Sequence, residues 1–262
     1  GYADCRFLKP VFPGDTLSTV SKVIGLKENS DGATGVVYVR SIGRNQHGDI
    51  VLEYVRWVMV RKRDKASPAP ETDVPTLPKA VDAAYLEAPV GTDFSKFDLA
   101  ASGSVHLWDD YAVGEKIDHV DGVTIEEAEH MMATRLYQNT AKVHFNQFTE
   151  GQGRFGRRLI YGGHVISLAR SLSFNGLGNA QLVTAINGGR HVAPCFAGDT
   201  IFAWSEVVDK AEVKGRADLG ALRLRTIATK NLPCGDFPGA LEKGYVDGVI
   251  LDLDYWALMP RR

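Results

Sequence analysis

Along residues 219–230 apolar and charged positions alternate, with Leu222 and Leu224 set against Arg223 and Arg225. That is the period of a strand with one buried face. The same reading places strands at about 199–212 and 247–258, and a second set at about 16–25, 34–43 and 50–62. The two sets are copies of one module. Arg6-Phe-Leu-Lys-Pro10-Val-Phe12-Pro-Gly14-Asp15-Thr16-Leu17 recurs as Arg190-His-Val-Ala-Pro194-Cys-Phe196-Ala-Gly198-Asp199-Thr200-Ile201, and a repeat held in register over such a stretch signals duplicated architecture. Each copy opens with a Gly-Asp turn before its first strand. In the strand at 51–60, Val55, Trp57 and Met59 occupy one face and Tyr54, Val58 and Val60 the other, which predicts a strand between two packed layers.

A helical period appears only upstream of the second copy. Thr124-Ile-Glu-Glu127 reads as a capping box, and Ile125, Ala128, Met131 or Met132 and Leu136 continue at helical spacing, predicting a helix over about 125–137. A second helix is predicted from Gly162-Gly163 to about Asn175, with Val165, Leu168, Ala169 and Leu172 on one face. It suits the core position under a curved sheet. The first copy has almost nothing upstream, so the expectation is a first module that lacks its amino-terminal part. Ala66-Ser-Pro-Ala-Pro-Glu-Thr-Asp-Val-Pro-Thr-Leu-Pro78 reads as an extended linker. The expected organisation is therefore an incomplete first module at 1–63, a linker and connecting segment at 64–104, and a second module at 105–262.

Composition narrows the function classes. With 44% hydrophobic and 24% charged residues the chain has the balance of a globular protein. A net charge of -2 and a pI near 6.4 supply no basic field for nucleic acid. Three widely spaced cysteines, Cys5, Cys195 and Cys234, make neither a disulfide framework nor a Cys-x-x-Cys metal site, which points to a reducing, cytoplasmic setting. No apolar run approaches the roughly 18 residues of a membrane span.

Among the motifs, Gly151-Gln-Gly153-Arg-Phe-Gly156 fits G-x-G-x-x-G but has no strand before it and no helix opening on it, so it reads as a loop and not a dinucleotide site. Glu127, Glu129 and His130 lack H-E-x-x-H spacing, and no ligand set for a metal is completed. No G-x-S-x-G elbow supplies a serine nucleophile. His47, His106 and His119 fall at turns and strand starts, where surface placement is expected, while His130, His164 and His191 read as structural histidines. His144 differs. It follows a capped helix, lies five residues after Asn139, and precedes Gly162, where a helix start would present free N–H groups to a developing oxyanion. Packing or capping is the alternative account of this histidine.

The placement of Asn139 before His144, the Gly156 to Gly162 stretch, and the repeated R-x-x-x-P-x-x-x-G-D-T segment together resemble the MaoC-type (R)-specific enoyl-CoA hydratases. The resemblance implies an α+β tandem (double) hotdog, antiparallel sheets each wrapping a central helix, with the first hotdog truncated. It implies a hydro-lyase acting on an acyl-CoA, with coenzyme A as part of the substrate and no separate cofactor, and a homodimer. It puts the catalytic histidine at His144 and the oxyanion glycine at Gly162. Asn139 stands where the family has Asp, and an amide cannot take a proton from water. Tyr161, where a His is common, and Gly163 would shape the acyl pocket. For a carboxylate on the acyl group, Arg135, Arg154, Arg157, Arg158 and Arg190 are candidates; for coenzyme A phosphates, Lys142, Arg223 and Arg225. A thioesterase or a binding scaffold on the same fold are the competing readings.

Overall fold

The computed structural model describes residues 1–262. Its strands are β1 (Tyr2–Phe7), β2 (Ser18–Glu28), β3 (Thr34–Arg44), β4 (Ile50–Arg61), β5 (Lys116–Asp118), β6 (Val123–Thr124), β7 (Leu182–His191), β8 (Thr200–Glu212), β9 (Leu219–Lys230) and β10 (Val249–Pro260). They form one antiparallel sheet in the order β2-β3-β4-β1-β7-β10-β9-β8-β5, with β6 beside β8. The seam is β1, paired with β4 on one edge and β7 on the other.

The alternation read from β9 is what the sheet uses. Leu222 and Leu224 are fully buried, whereas Arg223 and Arg225 turn to the opposite face and form bidentate pairs with Asp254 and Asp252 of β10. Five helices accompany the sheet: α1 (Leu99–Ser102), α2 (Glu127–Leu136), α3 (Gln147–Glu150), α4 (Gly162–Leu172) and α5 (Phe174–Leu177). The central one is α4, packed on β8, β9 and β10. Its Val165 and Ala169 join Ile201, Leu224, Leu253 and Tyr255 in the main core, where each large side chain contributes about 1.5–3 kcal/mol on full burial.

Several expectations are corrected. Thr124 does not cap α2: it lies in β6, bonded to Thr200 at 2.8 Å, and the helix is preceded by Glu126 with no side-chain cap. Strand pairing claims the threonine before the helix can. The central helix stops at Leu172, ten residues past its start, because Asn175 is extended and Gly176 takes a φ of 97°. Val58, Met59 and Val60 of β4 are exposed, as are Val20 and Val23 of β2. The outer part of β4 is therefore not held between two layers; no helix lies on β2–β4, so the sheet wraps a central helix only in its β8–β10 part. His119 is not at the surface but fully buried, bonded to Ser205 Oγ at 2.8 Å and the Asn175 carbonyl at 2.7 Å.

The connecting segment is laid onto the sheet. Asp73 bridges to Leu26 of β2, and Val81 and Leu86 pack on Trp256 and Leu258. Val81 donates to Asn187 Oδ1 at 2.8 Å and accepts from Trp256 Nε1–H at 3.0 Å. No helix is long and apolar enough to cross a membrane.

Candidate active site

The start of α4 opens on a cavity of about 270 Å³. The amide N–H groups of Gly162 and Gly163 donate to no protein acceptor, so the first turn offers free donors and the positive end of the helix dipole. His144 faces the same cavity from a 3₁₀ turn, Lys142–His144. Its Nδ1–H donates to the Leu159 carbonyl at 3.1 Å, and the Leu159 amide returns a bond to Val143 at 3.0 Å. That pairing fixes the tautomer, leaving Nε2 with a lone pair. Burial, partly offset by the bond to Leu159, pushes the imidazole below its ordinary value. A neutral histidine with one free basic nitrogen is thus held near a helix start.

Two neighbours set this geometry. The Tyr161 amide N–H donates to His130 Nε2 at 2.9 Å, which ties the entry of α4 to α2. His130 is buried, and burial first, then the nearby His144 and His164, lowers it to about 4. Ile160 donates to the Cys195 carbonyl at 2.9 Å, binding the same segment to the loop after β7. Tyr161 lines the cavity with its ring centroid 5.7 Å from that of His144. Gly163 sits behind it: an added Cβ would fall 2.7 Å from the Tyr161 hydroxyl oxygen.

Asn139 lies elsewhere. It borders a neighbouring depression with Arg135 and Phe145, and its Oδ1 accepts the Ala141 amide at 2.9 Å. Ala141 begins the turn that carries His144. The contact that Asn139 makes here is thus one that braces this turn. None of the five arginines reaches the cavity wall. Arg157 stacks on Phe196 with its guanidinium carbon 4.0 Å from the ring centroid, and Arg154 lies over Phe155. Arg158 pairs with Glu127 and approaches Met131 Sδ at 2.9 Å. Arg190 lines a depression on the far face of the sheet, near Arg225 and Asp252. Arg223 and Arg225 are already committed to carboxylates.

His191 is the residue sequence reasoning placed wrongly. It was expected to be structural, yet its ring makes no hydrogen bond to protein and forms part of the cavity wall against Gly162. The usable signal was in the repeat, where the corresponding residue is Phe7. A larger cavity of about 380 Å³ between the two halves contains no histidine, so the smaller one carries the candidate chemistry.

A continuous antiparallel sheet curved around a glycine-opened helix defines the class as a double hotdog, with a histidine facing the helix start. No family model matches the chain. It is 65% identical over 263 residues to the β-methylmalyl-CoA dehydratase of Chloroflexus aurantiacus and 63% identical over 262 residues to the mesaconyl-CoA hydratase of Cereibacter sphaeroides, spanning 100% of this chain and 75% of each relative. The crystal structure of a putative MaoC domain protein dehydratase from Chloroflexus aurantiacus superposes with a TM-score of 0.96 at 64% identity, covering 100% of this chain and 75% of that one. A conserved Mycobacterium tuberculosis protein described as a double hotdog shares the fold, with a TM-score of 0.69 at 23% identity over 99% of this chain and 74% of its own. The chain belongs to the MaoC-like hydratase and dehydratase family of which the β-methylmalyl-CoA dehydratase and the mesaconyl-CoA hydratase are members.

Proposed function

We propose that the chain is a hydro-lyase that adds water reversibly to mesaconyl-CoA, giving β-methylmalyl-CoA. Identities of 65% and 63% to the two named enzymes support this substrate. The observation that carries the chemistry is the His144 ring, whose Nδ1–H is spent on Leu159 while Nε2 stays free in the cavity at the start of α4. In the hydration direction, Nε2 takes a proton from water as the water oxygen bonds to the carbon β to the thioester. The electron pair of the double bond moves toward the thioester oxygen, where the Gly162 N–H receives the charge. The imidazolium then returns its proton to the α-carbon. His144 thus serves as base and acid in turn, since the cavity wall contains no carboxylate to share the proton transfers.

The reaction as proposed uses no separate cofactor, coenzyme A being part of the substrate. Lys142, on the turn that carries His144, and the exposed Arg154 and Arg157 are the proposed partners of its phosphates. A cytoplasmic setting fits three free, buried thiols, and a homodimer is the proposed assembly. A thioesterase is disfavoured because the cavity wall contains no carboxylate. Incubating the 262-residue chain with mesaconyl-CoA and weighing the products tests the reading. A product heavier by one water supports it; free coenzyme A with no hydrated thioester, or unchanged substrate, overturns it.

A further inference from the structure

Resting on that substrate reading, a second question is which group receives the acyl carboxylate. In mesaconyl-CoA the carboxylate is attached to the carbon that water attacks, so it must lie inside the cavity with His144 and cannot reach out to a distant arginine. The wall of that cavity contains no Lys or Arg side chain. The polar side chains facing it are His144, Tyr161, Tyr2 and His191. His144 is taken by the proton transfer.

His191 has the properties a carboxylate partner needs. It ends β7, the central strand between β1 and β10, so the sheet fixes its backbone. Its side chain donates to no protein acceptor and accepts from no protein donor. Its Nε2 lies 2.6 Å from where a Cβ on Gly162 would stand, which sets the ring beside the free N–H groups that begin α4. The duplicated first module has Phe7 at this position in the same Arg-x-x-x-Pro setting. The module thus tolerates an aromatic hydrocarbon here, and the imidazole is not demanded by the fold. The residue is solvent-exposed at the end of β7, and its ring borders an otherwise largely apolar wall with its nitrogens unpartnered by protein, so a ligand entering the cavity can take them.

We propose that His191 is a specificity-determining residue that donates a hydrogen bond to the acyl carboxylate, leaving the first-turn N–H of Gly162 to the thioester oxygen. A site built to bond a polar group rejects an analogue that lacks it. The enzyme should therefore prefer acyl-CoA substrates with a carboxylate at the fourth carbon over the same chain ending in methyl.

The test compares His191→Phe, which installs the residue of the first module, and His191→Gln, which keeps a donor, with the wild-type chain. Two unreactive thioesters, succinyl-CoA and butyryl-CoA, are titrated by calorimetry, and mesaconyl-CoA and crotonyl-CoA are compared as substrates. The expected result is that His191→Phe lowers the succinyl-over-butyryl affinity ratio and the mesaconyl-over-crotonyl kcat/KM ratio by about 10- to 100-fold, the range of a charge-assisted hydrogen bond, with His191→Gln between. Circular dichroism and the melting transition confirm that both variants fold. An unchanged ratio in folded His191→Phe overturns the proposal, as does an equal loss for both members of each pair, which would place His191 on the thioester instead. Should wild type hydrate crotonyl-CoA but not mesaconyl-CoA, the substrate reading itself fails, and an absent succinyl preference then removes this inference with it.

Discussion

His144 reaches neutral pH uncharged because its surroundings penalise the cation, and it keeps one basic nitrogen because Leu159 takes the other ring N–H. Its value lies below the ordinary histidine value of about 6.5. As the base in hydration, it works deprotonated. The acid limb of kcat/KM for mesaconyl-CoA hydration should therefore fall below pH 6.5, and a limb above that value would contradict the assigned surroundings. Gly162 is constrained from the other side. A Cβ there would press on the His191 ring at 2.6 Å, so Gly162→Ala should lower kcat/KM by about 10²-fold, the scale of a displaced oxyanion donor. Steady-state kinetics alongside a melting curve separates that loss from unfolding. At this scale the sequence singled out His144 and Gly162, by spacing and by resemblance to the MaoC-type hydratases, and both lie on the wall of one cavity. His191 was not singled out, because its meaning depends on β7 bringing it beside a helix start nearly thirty residues earlier in the chain. His119 was missed for a related reason: its two partners, Ser205 and the Asn175 carbonyl, come from distant segments.

The helix pair and the connecting loops hold the site through backbone groups. The single bond from the Tyr161 amide to His130 Nε2 joins α2 to the entry of α4. His130→Phe would leave that amide without an acceptor, at a cost of about 1–3 kcal/mol, and urea denaturation should show the loss together with a reduced kcat. Elements with a clear period, such as β9 and α4, were readable because both of their faces obey it. Thr124 was misread because a capping box is a local signal, and pairing with Thr200 across strands overrides it. The charged alternation of β9 has its own consequence. Arg225 is tied to Asp252 on the face away from α4, so Arg225→Ala should leave KM for acyl-CoA within about twofold while lowering stability by about 1 kcal/mol, discounted for its partial exposure. A large rise in KM would return Arg225 to the coenzyme A site.

Across the molecule, duplication explains both the sheet and its asymmetry. The repeated segment was plain in the sequence, and it places β1 beside β7 as the joint between copies. The exposure of Val20, Val23 and Met59 was not legible, since two apolar faces on one strand state a preference without saying what covers them. Histidines also set the pH response of the whole fold. His119 and His130 are buried with values below the unfolded one, His130 at about 4. The unfolded chain therefore binds more protons than the native one as pH falls from about 6.5 toward 4, and stability is lost over that window. Melting midpoints should drop steadily between pH 7 and 4.5, and a flat profile would contradict the neutral, buried state of these rings.

The account turns on His144 acting from the wall of a cavity that opens at α4. The most direct measurement is the initial rate of mesaconyl-CoA hydration, followed by loss of thioester-enone absorbance, for the wild-type chain and for folded His144→Ala. The predicted result is a loss of about 10²–10⁴-fold, the contribution of a positioned acid–base group. A variant that hydrates mesaconyl-CoA at the wild-type rate would contradict it.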